Sequence, residues 1–195
     1  TASCNGDPLK ELDKLIAAVE QAPASWQSAA EGTITQLGKT GGELSRNISA
    51  DLTTLVQTTL GDSQAAVDCA QDKMGIRFLQ QLQALRKKYN PSAPDPDIFP
   101  VICTVSPHQV DQATTQVVEF YGIRFNEYIK TGNSYQVEIQ YADGSIPKPS
   151  FLQVVISTDY LLQINSVGAD WSGLDQSLDP RLVLIWGNEQ VIGDQ

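Results

Sequence analysis

The chain has 195 residues, with 13 Lys+Arg against 23 Asp+Glu and a single His, for a formal net charge of −10. At 41% hydrophobic and 18% charged it can bury a real core, which excludes a disordered chain, and its length fits one domain or two small ones. The acidic balance argues against nucleic acid and anionic lipid as partners, since both need Lys/Arg surfaces, and no apolar run reaches the ~18 residues of a membrane span.

From Leu9 to Tyr89 the apolar positions follow helical spacing. Leu9, Leu12, Leu15, Ile16 and Val19 share one face of a first helix, with Asp7 as N-cap, Pro8 at the first helical position and Pro23 as its end. A second stripe through Leu37, Leu44, Ile48, Leu52, Leu55 and Leu60 is interrupted by Gly38, Gly41 and Gly42, which predicts a helix broken near 38–42. Gly61 and Asp62 read as a stop and a new N-cap. A third helix then carries Ala66, Cys69, Ala70, Met74, Phe78, Leu82, Leu85 and Tyr89, with Arg86, Lys87 and Lys88 complementing its negative end. The expectation is an antiparallel three-helix part over residues 1–90.

Three prolines in the next segment, Pro91, Pro94 and Pro96, cannot continue a helix and predict an extended linker over 91–97. Beyond it, over 98–195, the apolar period switches to two. Strands are expected at 100–105, from Val117 to Phe125, from Tyr135 to Tyr141 before an Asp143-Gly144 turn, and over 151–157, 160–166 and 182–186. Short strands with regular turns indicate a β-sandwich. The fold class is therefore α+β, a helical part followed by an immunoglobulin-like sandwich.

The segments Pro100-Val101-Ile102-Cys103-Thr104-Val105-Ser106-Pro107, Val117-Val118-Glu119-Phe120-Tyr121-Gly122-Ile123-Arg124-Phe125 and Tyr135 to Gly144, with Leu182–Trp186 as a last strand, resemble an IPT/TIG domain. This is an immunoglobulin-like fold of extracellular receptors and bacterial surface proteins. The Gly pair that usually precedes the second strand is replaced by Gln112-Ala113-Thr114-Thr115. The resemblance covers about 90 residues. It implies a binding or spacer module and carries no catalytic residues.

Gln and Thr are abundant while Met and Lys are scarce, a bias that, with the Pro-rich linker, points to an exported protein. A cytosolic chain with three buried thiols is the alternative. Cys4, Cys69 and Cys103 have no C-x-x-C pairing and, with one His, make a poor zinc set. Export implies one disulfide and one Cys left over. Cys69–Cys103 is the chosen pair, and Cys4–Cys69 stays open.

Of the candidate motifs, Gly38-Lys39-Thr40 lacks the glycine spacing and preceding strand of a phosphate loop, and reads as a helix break. His108 is the sole histidine available as a base and sits in a loop, with no Gly-x-Ser-x-Gly elbow in the chain. Asp170, Asp175 and Asp179 are too loosely spaced for a calcium loop. Asn47-Ile48-Ser49 is a formal sequon placed beside the core face. The chosen ligand-binding surface is the loop 168–179, with Trp171 as aromatic anchor and Asp170 and Asp175 as its polar rim, provided that Trp171 is exposed.

The sequence thus points to a secreted or cell-surface, non-enzymatic binding or structural protein without a cofactor. Its β module would meet a protein or carbohydrate, and its helical part would associate with a partner helix or with itself as a homo-oligomer. The alternatives are an extracellular hydrolase using paired carboxylates between the two parts, and a membrane-active toxin-like protein, suggested by the uncharged stretch from Leu52 to Leu60.

Overall fold

The computed structural model describes residues 6–67, 69–107, 116–147, 153–156, 158–166, 171–186 and 189–192. His108, Asp170 and Cys4 lie outside them. The chain divides into two compact units, Thr1–Val101 and Ile102–Gln195, the first helical and the second built on antiparallel sheets.

Among the described residues the helical unit contains four α-helices rather than three. The first, α1 (Pro8–Gln21), starts where Asp7 accepts a 3.0 Å bond from the Leu9 N–H and buries Leu12, Leu15, Ile16 and Val19. Pro23 opens a single 3-10 turn, Pro23–Ser25, and α2 (Trp26–Thr40) follows at once. Only Trp26, Ala30 and Leu37 of α2 are fully buried, so its stripe is sparse and escapes a reading by large apolar residues. Gly41 and Gly42, at φ 71° and 91°, make the sharp reversal into α3 (Glu43–Ala65).

The predicted break at Gly61-Asp62 does not occur, and α3 runs through it. Asp62 is buried and accepts a 2.9 Å bond from Arg77 Nε, so its carboxylate serves the interior of the bundle rather than a helix start. The last helix, α4 (Gln71–Tyr89), accordingly begins five residues later than the apolar stripe predicts. Each helix packs against its neighbours in sequence and α1 closes on α4, while the diagonal pairs touch less. This is an up-and-down four-helix bundle.

One end of the bundle is fixed by an aromatic pair. Trp26, fully buried, stacks at 5.0 Å on Phe78 and donates its indole N–H to Gln71 Oε1 at 3.0 Å. Beside it Gly75 lets α4 approach the Pro23–Ser25 turn so closely that a Cβ at 75 would lie 2.0 Å from the Pro23 carbonyl oxygen. Along the outside of α3, Thr53, Thr54 and Thr58 donate their hydroxyls to the carbonyls of Ser49, Ala50 and Thr54 at 2.9, 3.2 and 3.0 Å.

The proline segment is bound rather than free-standing. Gln80, Gln83 and Lys87 share one face of α4 and meet the chain in reverse order. Gln80 Nε2 donates to the Phe99 carbonyl at 3.1 Å and Gln83 Oε1 accepts from the Asp97 N–H at 3.0 Å. Lys87 Nζ donates to the Ala93 carbonyl at 2.8 Å and pairs with Asp95 at 3.2 Å. The strap therefore runs back antiparallel along α4, with Ala93 buried. Cys69 and Cys103 are disulfide-bonded to each other, closing a ring of about 35 residues around α4 and this strap, worth about 4 kcal/mol in the chain-entropy model.

In the second unit β1 (Val101–Ser106), β2 (Gln116–Ile123), β5 (Leu161–Ser166) and β4 (Gln153–Ile156) form one sheet in the order β1-β2-β5-β4. A second sheet has the order β3-β6-β7, from Tyr135–Gln140, Arg181–Trp186 and Glu189–Ile192. Alternation sets the buried faces. Val118 and Phe120 of β2 lie opposite Ile164 and Leu162 of β5, and Val137 and Ile139 of β3 opposite Leu184 and Leu182 of β6, all buried.

The second strand stops two residues short of the predicted Phe125. Arg124 turns into the left-handed region at φ 71°, and Phe125 begins the short helix α5 (Phe125–Lys130). Asp159 holds that turn, its Oδ1 accepting from the Asn126 and Glu127 N–H groups at 2.9 and 3.3 Å. Arg124, itself buried, forms a two-pronged pair with Glu127 at 2.7 and 2.6 Å.

Candidate functional site

The expected site is the loop that leads into β6. Its indispensable condition, an exposed Trp171, is not met: the residue is 5% exposed. An indole withdrawn from water offers no open stacking platform, so the exposure on which the choice of Trp171 as anchor rests is absent. Asp170, half of the expected polar rim, falls outside the described residues.

Asp175, the other half, is exposed but already engaged. Its Oδ1 accepts from the Ser177 N–H at 3.0 Å and from Ser177 Oγ at 2.6 Å, capping the 3-10 turn Gln176–Leu178. These two bonds hold its carboxyl below the ordinary aspartate range. Asp179 turns through φ 55° and pairs with Arg181 at 2.9 and 2.6 Å. The loop is further tied to the turn after β3, where Tyr141 Oη accepts from the Asp175 N–H at 3.1 Å and the Ala142 N–H donates to the Leu178 carbonyl at 3.1 Å. There Asp143 repeats the device, accepting from Ser145 N–H and Oγ at 2.9 and 2.6 Å. The segment is a set of interlocked side-chain turns, which is what Asp and Ser at such spacing do for a backbone.

The comparisons with known proteins decide nothing further. No protein-family model, curated protein or solved structure matches this chain.

Carboxylates elsewhere show the same economy. Glu119 on β2 accepts from Tyr121 Oη at 2.5 Å and from Gln163 Nε2 at 3.0 Å, which lowers its proton affinity, while donating to Glu119 raises the Tyr121 phenol. Asp51 on α3 accepts from Tyr89 Oη at 2.6 Å and Lys88 Nζ at 2.9 Å and is lowered by them in that order. Burial, then the bond to Asp51, pushes Tyr89 up to about 12. Burial also pushes Tyr135 well above the usual phenol range, as it packs edge-on against Phe125 and donates to the Phe125 carbonyl at 3.1 Å. Among the described residues the carboxylates whose proton affinity is clearly altered, Asp51, Glu119, Asp143 and Asp175, are all lowered, each first by hydrogen bonds from its neighbours.

The motifs singled out in the helical part resolve similarly. Gly38-Lys39-Thr40 closes the C-terminal end of α2, the wrong pole of a helix for phosphate. Asn47 is exposed on α3 rather than set beside the core. A shallow open groove of about 290 Å³ runs between α1 and α2, lined by Leu15, Ala18, Gly32, Thr33 and Gln36, with the Glu11–Lys14 ion pair on its α1 side. Among the described residues no group of three or more His, Cys, Asp or Glu side chains is placed to hold a metal ion, and no helix is long and apolar enough to cross a membrane.

Proposed function

We propose that this chain is a non-enzymatic binding or structural protein of an oxidising, extracellular setting, joining a four-helix bundle to an immunoglobulin-like interaction module. The strand order carries the reading. Two sheets ordered β1-β2-β5-β4 and β3-β6-β7 correspond strand for strand to the A-B-E-D and C-F-G sheets of a seven-stranded immunoglobulin constant-type domain, the fold implied by the IPT/TIG resemblance. The Cys69–Cys103 disulfide supports the compartment, because such bonds persist where thiols are not kept reduced.

The test is binding without turnover. The intact oxidised chain, presented to glycan and extracellular-protein arrays, should give saturable binding to a protein or carbohydrate that is recovered unchanged. Release of a cleaved product from any bound ligand would overturn the proposal.

A further inference from the structure

We propose that the Cys69–Cys103 disulfide is a redox-sensitive clasp that keeps the proline strap folded away along α4. The strap, residues 90–100, is anchored at its end by buried Pro100 and half-buried Phe99, but its outer part has little apolar hold: Ala93 is buried, while Pro91, Pro94, Asp95 and Asp97 face water and Ile98 is 37% exposed. What binds it is the row Gln80, Gln83 and Lys87, reaching Phe99, Asp97, Asp95 and Ala93 through hydrogen bonds and one ion pair at the rim. Those at Asp97 and Asp95 are exposed, and such contacts hold weakly one by one and gain their persistence from being closed into a ring. The ring is α4 and the strap lying antiparallel, shut at its open end by the disulfide.

Opening it needs a dithiol. One thiolate attacks Cys103 Sγ, since Cys103 is half-buried and Cys69 only 5% exposed, and Cys69 leaves as thiolate. The second thiol of the reagent displaces Cys103, so two electrons and two protons pass from the dithiol, which becomes the disulfide. The freed strap keeps Pro91, Pro94, Pro96 and Pro100 and takes up the extended form that such a sequence prefers in water.

Amide hydrogen exchange on the full chain, with and without dithiothreitol, tests the clasp. Complete reduction, verified by alkylation of both thiols, should speed exchange of the Asp97 N–H by about tenfold or more while Leu82 in the middle of α4 stays protected. Gln83→Ala should loosen Asp97 even in the oxidised protein, an arm that leaves the cysteines untouched. Unchanged exchange at Asp97 on reduction overturns the proposal. Equal acceleration at Asp97 and Leu82 also overturns it, because the disulfide would then support the whole bundle rather than the strap.

Discussion

Two interfaces meet on α4, and they are made of different material. Toward α1 it is an apolar joint: Leu12, Leu15, Ile16 and Val19 are buried on one helix and Met74, Phe78, Leu82 and Leu85 on the other, with Asp13–Arg86 at 3.7 Å the only ion pair described between them. Toward α3 a ladder of polar pairs runs the length of the contact, with Asp62 on Arg77, Thr59 Oγ1 on Gln81 Oε1 at 2.8 Å in the interior, and Asp51 on Lys88 and Tyr89. Burial supplies stability on the first side but tolerates sliding. On the second, three matched levels specify one register and add little net energy, since buried pairs repay their desolvation poorly.

The largest break in that comparison is on the apolar side. Phe78→Ala removes the partner of Trp26 and should lower the unfolding free energy by about 3–5 kcal/mol, read by urea denaturation. Next comes the polar side. Asp62→Ala strands the mostly buried Arg77 and should cost about 2–3 kcal/mol, whereas Asp62→Leu with Arg77→Met should recover most of the loss. A double mutant as unstable as the single one would show that the pair contributes net energy and not register alone.

The smallest effect is a pH dependence. Because Tyr89 is raised in the folded state to about 12 from 10.0, its contribution is fully present below pH 10 and is lost as pH rises toward 12. The stability gap between wild type and Tyr89→Phe should therefore narrow over that window. Asp51, lowered when folded, acts oppositely, its share being lost as pH falls below the unfolded carboxylate range.

The same division explains what could be read from sequence. The joint that depends on large apolar residues was legible: α1 and the core of α4 follow from their spacing, and Asp7-Pro8 and Pro23 mark the ends of α1. The switch from helical to alternating period also separates the helical part from the sheets correctly. What failed was local grammar overruled by a distant partner. Gly61-Asp62 has the form of a boundary, but Arg77 fifteen residues on claims the carboxylate. The α2 helix hid because small Ala30 is all that it buries fully between Trp26 and Leu37, too sparse a stripe to read by large apolar residues. Trp171 stands among acids and serines in sequence, and only the folded loop turns it inward. Of the candidate site, Asp175 reads in sequence as a polar rim, whereas the structure uses it to cap a turn through Ser177, and no sequence signal showed that the loop would be tied to Tyr141.

The threonines of α3 have a consequence for the water around the bundle. With the hydroxyl hydrogens of Thr53, Thr54 and Thr58 committed to the helix's own carbonyls, these side chains can still accept from solvent but no longer donate to it, and their methyl groups make up the remainder of their surface. From Ala50 to Ala65 the only charged residues are Asp51 and Asp62, each occupied by α4. Between Ala50 and Ala65 the threonine surface therefore presents methyl groups and acceptor oxygens, and no charge that α4 does not already partner, a neutral strip on a molecule of net charge −10.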